Sequence, residues 1–160
     1  MKTYVIGEGG SDVDILERLL SGEPPLDTKV LAANGRSAVL SLSRTLLVTK
    51  ELPALVVVDA DAEAAAQVRS SVESGLVQVA APDRWKCVVF EPDIETELLG
   101  ALPANGRERA TTKAERRGLL QTYLENKSML EVVRALPKVK DAVEFIRRWN
   151  GHDAVVSAVQ

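Results

Sequence analysis

Residues 55–61 of this sequence are Leu55-Val56-Val57-Val58-Asp59-Ala60-Asp61. Four consecutive apolar residues, three of them β-branched, are typical of a strand that is buried on both faces, as in a parallel sheet. Asp59 and Asp61 follow at its carboxyl end, which is the edge where open α/β sheets bind ligands. Two carboxylates held close together need a neutralising charge, and aspartate oxygens suit Mg²⁺ or Mn²⁺. The alternative is a surface turn in which Asp61 caps a helix that begins at Ala62.

The composition indicates an ordinary globular protein of one domain. The chain has 160 residues, of which 46% are hydrophobic and 27% charged, and its net charge is −3. This balance argues against a strongly basic nucleic-acid module, although a bound cation could supply positive charge next to a phosphate. The one cysteine, Cys87, lies in an apolar run, so we expect it in the core rather than in a disulfide or a zinc site.

Neither a membrane span nor a signal peptide is predicted. No stretch approaches the ~20 apolar residues that a membrane helix needs. The first residues run directly into a strand pattern, without the features of a secretory leader. We therefore expect a cytoplasmic protein with no membrane partner.

Strand patterns alternate with helical patterns through the first hundred residues. Besides the central stretch, strands are expected at residues 4–6, 29–33 and 85–90. The intervening helices are expected at about residues 13–20, 37–49, 62–73 and from Pro92 onward. Residues 77–80 are a candidate for a short edge segment. This alternation predicts βαβ units and an α/β fold with a mainly parallel four-stranded sheet.

From residue 103 the pattern changes to helix alone. A polar loop at 103–112 is followed by helical spacing from Thr112, and Pro137 begins a last helix. We expect an α/β core at 1–102 and a helical C-terminal extension at 103–160, packed on the same domain. The pattern of the tail from His152 onward is compatible with a frayed end and with a final strand, and it does not decide between them.

Acidic residues follow three of the predicted strands. Glu8 comes after the first, Asp59 and Asp61 after the third, and Glu91 and Glu95 after the fourth. Because the carboxyl ends of parallel strands meet at one edge of a sheet, these side chains are expected to converge there. A carboxylate cluster without balancing positive charge implies a cation site, and the chemistry that fits is phosphoryl or phosphodiester transfer.

These motifs resemble the TOPRIM domain. Glu8 in a glycine-rich turn after the first strand, with Asp59-Ala60-Asp61 after the third, is similar to the Glu and D-x-D motifs of that family. The family includes topoisomerases, primases, a ribosomal-RNA maturase and the OLD-family nucleases. The Glu8-to-Asp12 spacing and the segment 91–95 are most similar to the OLD-type branch. The resemblance covers about residues 2–100 and implies a Rossmann-like TOPRIM fold.

The resemblance also implies metal-dependent nuclease activity on DNA or RNA, with Mg²⁺ or Mn²⁺ as the cofactor. Glu8 would be a metal ligand or the general base, and Asp59 and Asp61 would be metal ligands. Glu91 and Glu95 would complete a second metal position, as in the OLD-type branch.

The resemblance also implies roles for one more acidic residue and for a lysine. Asp12 would support a ligand or cap the first helix. The OLD-type branch uses a lysine from its C-terminal helices at the scissile phosphate. The catalytic candidate here is Lys127, with Lys113 as the alternative, and the spacing does not decide between them.

The resemblance does not extend to the other domains of these families. OLD proteins carry an ATPase domain, whereas this sequence has no Gly-x-x-x-x-Gly-Lys-Ser/Thr phosphate loop. We therefore expect a stand-alone TOPRIM-like unit, or the cleaving subunit of a larger system whose ATPase or targeting function comes from a protein partner.

Two other functions stay open. One is a binding or regulatory module that has the fold without turnover, which the acidic net charge favours. The other is a receiver-like phosphoacceptor, because Asp59 ends a third strand. That class carries paired acids after its first strand, whereas Glu8 is followed by glycines here.

Overall fold

A parallel four-stranded sheet lies in the middle of the fold. The computed structural model describes residues 1–22, 25–103 and 107–151. The strands are β1 Thr3–Gly7, β2 Thr28–Ala32, β3 Ala54–Asp59 and β4 Trp85–Phe90. They lie in the order β2-β1-β3-β4, and every pairing is parallel. The predicted α/β class and four-stranded sheet are therefore confirmed.

Helices cover both faces of this sheet. They are α1 Gly10–Leu20, α2 Arg36–Thr49, α3 Ala65–Val77, α4 Ile94–Leu99, α5 Lys113–Leu124, α6 Lys127–Arg134 and α7 Pro137–Asn150. The predicted helical C-terminal extension thus consists of α5, α6 and α7, and the tail from His152 onward lies outside the described residues. None of the described helices combines the length and the apolar character needed to cross a membrane. The cytoplasmic location stays a prediction.

β3 is buried along its whole length, as its sequence predicted. Leu55 and Val57 face a core that they share with α1 and with α4 to α7. Val56 and Val58 face a second core, which is built with α2 and α3. Because helices cover both faces, the strand is continuously apolar rather than alternating.

The C-terminal helices pack on the same core as the sheet. Leu120 of α5, Val133 of α6 and Ile146 of α7 are buried in one cluster with Val5 of β1. Cys87 is buried in the other core, where the sequence placed it. The extension therefore shares its hydrophobic packing with the α/β core.

Two local predictions near the ends of α3 are wrong. Val77 ends α3, and the backbone amides of Val79 and Ala80 donate to Leu76 O at 3.1 Å, so residues 77–80 form a turn and not an edge segment. At the other end α3 begins at Ala65 rather than at residue 62. The Glu63 amide donates to Ala60 O at 3.0 Å in a turn, and Ala64 has an extended backbone, so the helix begins only after Ala64.

Asp61 does not cap α3, because Ala64 occupies the N-cap position. The amide of Asp61 donates to Pro92 O at 2.8 Å, and the amide of Ala60 donates to Phe90 O at 2.8 Å. Pro92 itself precedes α4 instead of lying in its first turn. The residue that caps α4 is Asp93, whose side chain accepts a hydrogen bond from the Thr96 amide at 2.7 Å.

β4 is an edge strand whose open carbonyls are covered by two cationic side chains. Arg69 of α3 donates to Cys87 O at 2.9 Å. Lys138 of α7 donates to Val89 O at 2.8 Å and to Glu97 Oε1 at 2.7 Å. Positive side chains at an edge satisfy its carbonyls and discourage pairing with another chain.

We expect Lys138→Met to lower the free energy of unfolding by about 1–3 kcal/mol, because Val89 O and Glu97 would both lose a charged donor. Urea unfolding followed by circular dichroism measures this change. Lys140→Met is the matched control, since Lys140 is exposed on the same helix. Equal destabilisation by the two substitutions would show that the contacts of Lys138 contribute nothing specific.

Candidate metal centre

The strand order places the ends of β1 and β3 side by side. The chain runs from β1 outward to β2 on one side, and β3 with β4 lies on the other side. Such a reversal of strand order opens a crevice at the carboxyl edge of the sheet. Glu8 directly follows β1, and Asp59 is the last residue of β3. The two residues are in contact, because the Asp59 amide donates to Glu8 Oε1 at 3.1 Å.

Three buried carboxylates meet at this crevice. One carboxylate oxygen from each of Asp12, Asp59 and Glu95 lies within 4.8 Å of the other two. The exposed fractions of these residues are 7%, 4% and 0%. Within the described ranges no other three acidic, histidine or cysteine side chains meet in this way. We call these three residues the carboxylate triad.

The apolar packing of two helices turns two of these acids inward. Asp12 lies in the first turn of α1, three and four residues before the buried Ile15 and Leu16. Glu95 lies in α4, three residues before the buried Leu98. Residues with this spacing share one face of a helix, so the faces that pack on the core carry the carboxylates with them.

Three oxygens of the triad accept no hydrogen bond from another residue that the structure describes. Neither oxygen of Glu95 accepts a hydrogen bond from another residue described, and the same holds for Oδ1 of Asp12. Asp59 differs, because its Oδ1 accepts a hydrogen bond from the Ile94 amide at 3.0 Å. A buried polar group without a partner carries a desolvation penalty of about 1–3 kcal/mol, and more when it is charged.

Two side chains of α5 supply positive charge at longer range. Lys113 Nζ lies 3.9 Å from Asp59 Oδ2, and Arg117 Nε lies 3.7 Å from Glu95 Oε1. Both distances exceed the 2.7–3.2 Å of an N–H···O hydrogen bond. The triad is thus attracted to α5 without being hydrogen-bonded to it.

Burial raises the pKa of every carboxyl in the triad, and the charge of another triad member adds to this effect for Asp59 and Glu95. Burial is the largest cause for Asp59 and, with the charges of Asp12 and Glu8, raises its pKa to about 8. Burial likewise raises the pKa of Asp12 and of Glu95. Burial is the largest single influence on the pKa of Lys113 and lowers it, but the charges of the acidic neighbours, Glu95 first, together raise it above the ordinary value, so this lysine stays charged.

The donor set fits a hard divalent cation. Carboxylate oxygens are the ligands that Mg²⁺ and Mn²⁺ prefer. Oxygens that share one Mg²⁺ at ~2.1 Å lie about 3–4 Å apart, so oxygens within 4.8 Å need little movement. A cation at this position would also contact the oxygens of Glu95 and Asp12 that accept no hydrogen bond from another described residue.

The triad overlaps only in part with the predicted ligands. The structure brings together Asp59 and Glu95 and adds Asp12, which the sequence placed in a supporting role. Glu8 lies beside the triad and bonds to the backbone of Asp59 rather than belonging to the group. The signal for Asp12 and Glu95 was present in the sequence, since each has the helical spacing of a buried position.

Two other predicted ligands lie outside the triad. The side chain of Asp61 is 62% exposed, and its Oδ2 lies 3.8 Å from Arg36 Nη2. Glu91 is exposed, and its backbone amide donates to Glu97 Oε1 at 3.2 Å. Both residues are close to the site along the chain, but the turns that follow β3 and β4 do not direct them into it.

The predicted catalytic lysine is also not at the triad. Lys127 is the exposed first residue of α6, and no ion pair of it occurs in the part of the chain that the structure describes. Lys113, the alternative, begins α5 and faces Asp59. Only the packing of α5 against α1 and α4 distinguishes the two lysines.

No protein-family model matches this sequence, and neither a curated protein nor a solved structure matches it.

Proposed function

We propose that this chain is a nuclease that cleaves phosphodiester bonds of DNA or RNA with Mg²⁺ or Mn²⁺, as its resemblance to OLD-type TOPRIM domains implies. The observation that carries the proposal is the meeting of Asp12, Asp59 and Glu95 at the switch point of the sheet. A buried carboxyl group that accepts no hydrogen bond from another described residue, as in Glu95, is unfavourable without a ligand. That combination is suited to binding a cation rather than to stabilising the fold.

The residues around the triad have separate roles in this proposal. The triad would hold the cation, which when bound activates water and neutralises charge on a phosphate. Glu8 is half-buried, and burial, the largest influence, raises its pKa above the ordinary value. A carboxyl with a raised pKa is suited to accept a proton from the attacking water, so Glu8 is the candidate general base.

One face of α5 is suited to the phosphate backbone. Lys113, Arg116 and Arg117 are spaced by three and four residues, so they share a face of this helix. That face borders the triad, because Lys113 and Arg117 approach two of its members. Lysine and arginine are the side chains that contact phosphate oxygens most often, and Lys113 is the candidate for the scissile phosphate.

Cleavage of plasmid DNA, single-stranded DNA and structured RNA in Mg²⁺ or Mn²⁺ tests the proposal. We expect Glu95→Gln and Asp12→Asn to reduce cleavage at least about 100-fold, since loss of even an indirect metal contact costs 10–100-fold. Asp14→Asn is the matched control, because Asp14 lies two residues after Asp12 on α1 but is exposed. This variant should cleave like the wild type. Glu91→Gln should also cleave these nucleic acids at the wild-type rate, since Glu91 lies outside the triad.

Two results would contradict the nuclease proposal. One is an inactive wild-type protein under all these conditions. The other is equal cleavage by wild type, Glu95→Gln and Asp12→Asn, which would assign the activity to a contaminant or to another site.

A second candidate function is a non-catalytic nucleic-acid-binding or regulatory module. The ion pairs of Lys113 with Asp59 and of Arg117 with Glu95 favour it, because they already offset part of the negative charge. Such a module would bind DNA or RNA with an affinity that falls steeply with salt, and it would not cleave. The same set of substrates therefore distinguishes the two functions.

A further inference from the structure

A guanidinium group lies among oxygens of the kind that bind a hard cation. Arg36 is the first residue of α2, and its Nη2 donates to Asp59 O at 2.9 Å and to Ala60 O at 3.4 Å. Its Nη1 pairs with the carboxylate of Glu63, and its Nη2 lies 3.8 Å from Asp61 Oδ2. Two backbone carbonyls and two carboxylates, at the end of β3 and in the loop after it, thus surround one positive side chain.

The backbone fixes Arg36 beside the first strand as well. The residue before it, Gly35, has φ = 87°, a conformation that glycine adopts without strain. The Gly35 amide donates to Glu8 O at 3.2 Å, so the start of α2 is tied to the end of β1. Arg36 therefore connects the turn that carries Glu8 with the loop that carries Asp61.

The interactions of Arg36 are mainly electrostatic. Its hydrogen bond to Glu63 is the largest influence on its pKa, which lies above the ordinary value, so the group is always charged. Its Nε is buried and has no hydrogen-bond partner within the described ranges. The guanidinium therefore keeps its position although its Nε–H donates no hydrogen bond. This is expected where the negative charges of Glu63 and Asp61 hold it.

We propose that the Arg36 guanidinium takes the place of a second divalent cation beside Asp61 and Glu63, so that the protein binds a single cation at the carboxylate triad. This inference rests on the proposed function, because it takes the triad as the cation site. A fixed positive charge within 4 Å of Asp61 Oδ2 repels a second cation and occupies the oxygens that would bind it. Arg36 is thus a positioning residue that keeps Asp61 out of the metal site.

Counting the Mn²⁺ ions bound per chain tests the inference. Electron paramagnetic resonance reports free Mn²⁺ during a titration of the full chain. We expect one ion in the wild type and two in Arg36→Gln, which removes the charge at similar size. Arg36→Lys keeps a charge and should bind one ion.

Two further variants complete the experiment. Arg44→Gln is the matched control on α2 and should bind one ion, because Arg44 bonds to Gly75 O at 3.0 Å and to Gln78 Oε1 at 2.9 Å, away from the acids. Asp61→Asn, in the otherwise wild-type chain, should keep one ion with an affinity within about twofold of wild type. It tests the inference even if Arg36→Gln does not fold, which circular dichroism would reveal.

The outcomes separate this inference from the proposed function. No ion in the wild type would overturn both. Two ions in the wild type, one ion in a folded Arg36→Gln, or a tenfold loss of affinity in Asp61→Asn would overturn the role of Arg36 alone and leave the triad as a cation site.

Discussion

Asp59→Asn should abolish tight Mn²⁺ binding and slow nucleic-acid cleavage at least about 100-fold, while the cation-free protein still folds. Asp59 is the central member of the triad, since it ends the buried strand β3 and approaches both Asp12 and Glu95. Asparagine has the same shape, and its carbonyl oxygen can still accept the hydrogen bond of the Ile94 amide. What it removes is one negative charge from the proposed ligand set.

Isothermal titration with Mn²⁺ and a cleavage assay measure the two effects on Asp59→Asn. Asp61→Asn is the matched control, because it makes the same change two residues away on a side chain that is 62% exposed. We expect that control to bind Mn²⁺ and to cleave like the wild type. If Asp61→Asn were as defective as Asp59→Asn, Asp61 would be a cation ligand as well, and the assignment of the site to the triad alone would be wrong.

The stability of the cation-free protein should fall as the pH rises from about 4 to 8. Burial, with the charges of Asp12 and Glu8, raises the pKa of Asp59 from 3.8 to about 8 in the folded state. Between these values the folded protein holds a proton that the unfolded chain has lost. The free energy of unfolding therefore decreases with pH, by up to about 1.4 kcal/mol per pH unit for one proton. Asp12 and Glu95 act in the same direction, because burial raises the pKa of each.

Saturating Mg²⁺ should reverse this dependence. A cation binds deprotonated carboxylates, so its contribution to stability grows as the protons leave. Thermal unfolding at pH 5 to 8, in EDTA and in excess Mg²⁺, measures both trends. Asp59→Asn should flatten the curve in EDTA, since it removes the group with the largest shift. A melting temperature that rises with pH in EDTA would show that the triad is not held protonated by its burial.

The sheet could be predicted from local sequence because its strands carry strong signals. The apolar run ending at Asp59 and the run at 85–90 each correspond to an observed strand of nearly the same bounds. A strand that is covered on both sides needs no long-range information to be recognised. Once such a strand is recognised, its carboxyl end is known as well. For this reason Asp59 could be placed correctly at the carboxyl edge of the sheet.

It was harder to predict which side chains lie at the candidate metal site, because this depends on turns and on helix packing. Asp61 follows the same strand, but hydrogen bonding of its amide to Pro92 O and its proximity to Arg36 keep it outside the triad. Asp12 belongs to the triad because it lies on the buried face of α1. Lys113 and Lys127 begin successive helices and look alike in sequence, so only the packing of α5 shows which of them faces Asp59.

The distribution of the triad along the chain has a consequence for protein synthesis. Its members belong to α1, β3 and α4, and Lys113 follows only at α5, so no short segment contains the site. A nascent chain that has not yet emerged beyond α4 lacks Glu95 and cannot complete the cluster. A nuclease built in this way would be inactive in nascent chains and truncated products that end before α4, and it would acquire its cation only after the whole sheet has assembled.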